Sequence, residues 1–101
     1  MIERAYQDFE GSFLLGEADG QAWSARARSN EIQSVAMLHP EEVGQRDIFG
    51  QANAGWLEER AASYRTRDER FVPQAYLEGF LSSVRRTRRQ MAFAMARRRR
   101  A

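Results

Sequence analysis

A chain of 101 residues with 43% apolar and 30% charged content is long enough for one domain with a modest core, too short for two, and too hydrophobic to be disordered. It has no cysteine, which excludes disulfides, thiolate metal sites and thiol redox chemistry. The formal net charge of +2 conceals a segregation: residues 1–78 hold 14 acids and 8 arginines, net −6, whereas residues 79–101 hold 8 arginines and no acid, net +8.

From residue 1 to 15, Ile2, Tyr6, Phe9 and Phe13 recur at spacings of four, three and four, which predicts a first helix. The run Gly16-Glu17-Ala18-Asp19-Gly20 has the chemistry of a turn, and residues 21–38, rich in Ala, Arg, Gln and Glu, predict a second helix with Asp19 as its N-cap. Its apolar face carries Ala22, Ala25, Ile32, Val35 and Ala36. An alternative is a β-hairpin at about 12–28 around Asp19-Gly20, because Trp23, Ala25 and Ala27 alternate with polar residues; its three alanines favour the helix. After such a hairpin Asn30 and Gln33 would cap a fresh helix.

Pro40 ends the second helix and suits the first turn of a third. Gly44, Gly50 and Gly55 interrupt the middle, so residues 41–52 and 55–66 form one broken helix or two short ones, with Val43, Ile48, Phe49, Ala52, Trp56, Leu57, Ala61 and Tyr64 as core candidates. Pro73 opens the longest helical pattern, running to at least Met95, and Tyr76, Phe80, Val84, Thr87, Met91 and Met95 form its stripe. The expected fold is an all-α domain of four to five helices: an acidic helical body, residues 1–78, with a basic C-terminal helix extension, residues 79–101, or an α+β fold if the hairpin forms. The segment from Leu57 to Phe80, with Tyr64, Arg70-Phe71-Val72-Pro73 and Tyr76-Leu77, resembles helical segments of some phage and plasmid replication accessory proteins; the likeness covers under a quarter of the chain and assigns no residue a role.

Two arginine clusters carry the functional expectation. Arg85, Arg86, Arg88 and Arg89, then Arg97, Arg98, Arg99 and Arg100, advance by about 100° per residue on a helix and spread as a cationic collar suited to DNA or RNA phosphates with little sequence preference. The opposing expectation is a solvated face folded onto the acidic body. An adaptor role is the alternative function, with Phe80, Val84, Met91 and Met95 docking onto a partner helix, an acidic protein or a second copy in a homo-oligomer. Trp23, Trp56, Tyr64 and Tyr76 would either stack on bases or fill the core.

Arginine supplies every basic residue, through selection for its bidentate head group or through codon usage. No enzymatic activity, cofactor or metal is expected. His39 is the single histidine, Glu41-Glu42 and Glu58-Glu59 are adjacent pairs that point to different helix faces, and the glycines lack phosphate-loop spacing. Apolar runs fall far short of the roughly 20 residues of a membrane span, and the N-terminus mixes charges from the start, so a cytoplasmic protein of bacterial or phage setting is expected and a membrane surface is the least favoured partner.

Overall fold

The computed structural model describes residues 8–100, the side chain of Arg100 excepted, and its elements are helices α1 (Phe9–Ser24), α2 (Ser29–Ala36), α3 (Gly55–Arg67) and α4 (Pro73–Arg100), with a 3-10 turn at Pro40–Glu42. The fold is all-α, and among the described residues the β-type pairing is one isolated bridge between Arg46 and Ala52. Ile2 and Tyr6 of the first expected stripe lie outside the described residues.

Helix α4 is the element on which the others pack. Pro73 begins it, where a missing N–H costs nothing, and Ala75, Tyr76, Leu77, Phe80, Leu81 and Val84 are all buried within its first half. Full burial of each large side chain contributes about 1.5–3 kcal/mol, so this half supplies much of the hydrophobic driving force.

Helix α1 corrects the expected turn at residues 16–20, the N-cap role of Asp19 and the alternative hairpin together, because it runs unbroken from Phe9–Ser24. Ser12, Gly16, Gly20 and Ser24 recur every four residues and form its buried face. A Cβ on Gly16 would collide with the carbonyl of Tyr76, one on Gly20 would lie 2.6 Å from the carbonyl oxygen of Phe80, and one on Gly79 of α4 would collide with the carbonyl of Phe13. Glycine's unfavourable helix propensity is therefore offset by an approach of two backbones that no side chain permits. Hydroxyls tie the same seam: Ser83 Oγ donates to the Glu17 carbonyl at 2.7 Å, and Ser12 Oγ accepts the Val72 N–H at 3.0 Å.

The expected helix 21–38 is divided at residues 25–28, where the Arg26 and Ala27 amides both turn back to the Trp23 carbonyl. Helix α2 then starts with the Arg28 amide held by Glu31 Oε1 at 3.0 Å, so Glu31 closes this start and the Asn30–Gln33 pair does not. Its Ile32, Val35 and Ala36 are buried as expected.

Residues 41–52 do not form a helix. Gly44 and Gly50 adopt φ of +84° and +77°, in the left-handed region, and Asp47 Oδ1 accepts the amides of Phe49 at 2.8 Å and Gln51 at 2.9 Å, so a side chain takes the donors a helix would need. The result is a tied loop closed by Gly44 N–H to Asn53 O and Asn53 N–H to Gln45 O. Ile48 and Phe49 stand at its tip, 93% and 82% exposed, which overturns their place among the core candidates. Val43, Leu57 and Ala61 are buried, and Trp23, Trp56, Phe80, Tyr76, Tyr64 and Phe71 form a continuous aromatic chain with neighbouring ring centroids 5.2–6.2 Å apart.

Candidate nucleic-acid interface

Beyond Met91, α4 leaves the body. Met91 is half-buried against the core, whereas residues 92–99 are exposed. Nothing in residues 85–100 breaks a helix, and Ala, Arg, Met and Gln favour one. Arginines in the last turn also meet the partial negative charge of the unpaired carbonyls.

The arginines divide by role. Arg85 is half-buried and donates from Nε to the Ala36 carbonyl at 3.2 Å and from Nη2 to the Leu38 carbonyl at 2.6 Å, so it closes the C-terminal end of α2. It belongs to the fold and not to the free cationic surface. Arg86 reaches Glu17 Oε2 at 3.5 Å, and with its side chain 56% exposed the pair is worth little. Arg88, Arg89, Arg97, Arg98 and Arg99 are exposed, and among the described residues none has a carboxylate within ion-pair distance. The side chain of Arg100 lies outside the described residues.

Helical phase sorts these positions further. Arg86, Arg89, Phe93 and Arg97, at spacings of three, four and four, form one solvent-facing ridge. The Arg97 guanidinium lies 5.6 Å from the centroid of the Phe93 ring, which is 65% exposed. Arg88, Met91, Met95 and Arg99 follow the side that continues the buried face. The collar thus has a mixed ridge of cations and one aromatic on its outer side, a pattern legible from the Arg89, Phe93 and Arg97 spacing.

Of the residues expected to contact a partner helix, Phe80 and Val84 are fully buried in this chain's own core and offer no surface. Met91 packs partly against that core, and Met95 is 57% exposed. The aromatic residues considered for base stacking are also committed internally: Trp23 and Trp56 stack on each other at 5.2 Å, and Tyr64 and Tyr76 pack together at 5.2 Å. Both tyrosine hydroxyls donate to Asp19 Oδ2, and burial, followed by that carboxylate, holds both phenols above their ordinary pKa. His39 is exposed at the start of the 3-10 turn, where its amide donates to Glu42 Oε1 at 2.9 Å. No group of three or more His, Asp and Glu side chains that could hold a metal occurs among the described residues, and no described helix is long and apolar enough to cross a membrane.

Comparison with protein-family models, curated proteins and solved structures returns no match, so the local likeness of Leu57 to Phe80 has no counterpart there.

Proposed function

We propose that this chain is a small non-enzymatic nucleic-acid-binding protein that contacts phosphates through the distal half of α4. One observation carries the reading: Arg88, Arg89, Arg97, Arg98 and Arg99 are exposed on a segment without acids, and among the described residues no carboxylate pairs with them. Guanidinium groups so placed displace condensed counterions from a phosphate backbone and favour no particular base sequence. Mobility-shift titration at several salt concentrations tests it. Affinity should fall steeply with salt, and replacing Arg88, Arg89, Arg97 and Arg98 with glutamine should flatten the log–log slope by about 3, at roughly 0.7–0.9 per phosphate contact. An unchanged slope removes the assigned surface.

The adaptor reading is second and is favoured by a different element from α4: the tied loop that presents Ile48 and Phe49 almost wholly to solvent. Co-sedimentation with an acidic partner that survives high salt and is lost in Ile48→Ser/Phe49→Ser would favour it.

A further inference from the structure

The outer ridge of α4 places one large aromatic among its cations. Phe93 lies one turn after Arg89 and one turn before Arg97, and each step rises about 6 Å along the axis. Its ring is 65% exposed, and the Arg97 guanidinium covers one side of it at 5.6 Å. None of the aromatic stacking that fills the body reaches it: the core chain of rings runs through Trp23, Trp56, Phe80, Tyr76, Tyr64 and Phe71.

We infer that Phe93 is a stacking platform for an unpaired base, with Arg89 and Arg97 holding the flanking phosphates, so that the ligand class of this ridge is single-stranded nucleic acid. The inference rests on the nucleic-acid reading above and narrows it. An aromatic ring stacks on any base whose face is free, and a duplex hides those faces inside its own stack. A guanidinium on one side of the ring leaves the other side for the base and keeps its outward N–H groups for phosphate.

Helical phase argues against two other occupants. A helix lying on acidic lipid needs its apolar residues on one side, but Phe93 and Met95 are about 160° apart around the axis. An acidic peptide would satisfy the arginines and leave the ring unused. A single strand offers negative charge and flat apolar faces at alternating positions, as the Arg89, Phe93 and Arg97 succession requires.

Fluorescence anisotropy with a labelled oligothymidine, a duplex of equal length and an oligoglutamate of equal charge tests this, using the full chain and its Phe93→Ala and Phe93→Trp variants. The wild type should prefer oligothymidine over both other ligands. Phe93→Ala should weaken oligothymidine binding by roughly 5- to 100-fold and bring the ratio of single-strand to duplex affinity towards one, and Phe93→Trp should restore the preference. A preference that survives Phe93→Ala, or equal binding of oligothymidine and oligoglutamate, overturns the platform while phosphate binding stands. Wild-type protein that binds neither nucleic acid overturns the platform and the nucleic-acid reading together. Thermal unfolding of each variant confirms that the exposed substitution leaves the fold intact.

Discussion

The hydroxyl of Tyr76 donates to Asp19 Oδ2 at 2.6 Å, and the same oxygen accepts the hydroxyl of Tyr64 at 2.8 Å. One carboxylate oxygen on α1 thereby joins α3 and α4. Hydrogen bonds to a charged acceptor contribute about 1.5–3 kcal/mol, and a buried hydroxyl left without its acceptor costs more than one that returns to water. Asp19→Ala should therefore lower stability by about 3 kcal/mol in urea denaturation without changing the denaturant slope. A loss below about 1 kcal/mol would mean that the tyrosines find other partners.

The burial of these two phenols, together with the same contact, makes stability fall in alkali. Tyr64 and Tyr76 are raised above their ordinary pKa in the folded chain, first by burial and then by Asp19. The unfolded chain loses these protons near pH 10, while the folded chain retains them. The stabilising contribution is thus complete below pH 10 and declines above it, because the unfolded state releases protons first. Thermal unfolding scanned from pH 8 to 11 should show this decline, and Tyr76→Phe should make it shallower.

Gly16 and Gly79 should respond to alanine in the opposite sense from ordinary helix glycines. On an open helix face the substitution stabilises by about 0.5–1 kcal/mol. Here the added Cβ meets the carbonyl of Tyr76 or of Phe13, both backbone atoms of a packed helix. Gly16→Ala and Gly79→Ala should each destabilise by about 2–3 kcal/mol, read as a fall of roughly 10–20 °C in Tm for a domain of this size. A rise in Tm would show that α1 and α4 separate at little cost.

These glycines also mark where local chemistry misleads. Gly16, Asp19 and Gly20 carry strong turn signals, yet they lie inside α1 because a long-range backbone contact outweighs propensity; the four-residue recurrence of Ser12, Gly16, Gly20 and Ser24 was the available sign. Residues 41–52 misled in the reverse direction, since Pro40 suggested the first turn of a helix where Asp47 closes a loop with its own side chain. Helix α4 was legible from Pro73 onward because propensity, periodicity and a proline in the first turn agree there. The cationic surface was legible as composition, but the commitment of Arg85 to α2 depends on a contact 47 and 49 residues away in sequence, which no local pattern encodes.

Arg85 and Arg88 should accordingly separate stability from binding. Arg85→Gln removes a charged donor from the Ala36 and Leu38 carbonyls and should cost about 1.5–3 kcal/mol. Arg88→Gln, on an exposed side chain, should stay within about 0.5 kcal/mol of the wild type while weakening binding to polyanions. Paired Tm and anisotropy measurements check both. Equal effects on stability would remove the distinction drawn between the two arginines.

The uninterrupted passage of α4 from core to solvent means that its outer segment never has to nucleate. The packed turns from Pro73 to Val84 already bear the cost of the first hydrogen-bonded ring, leaving only favourable propagation for the turns that follow. They also set the azimuth of every later residue: one inserted residue after Arg89 would swing Phe93 and Arg97 by about 100° out of line with Arg86 and Arg89. The buried half thus acts as a template that dictates in which direction the far end faces.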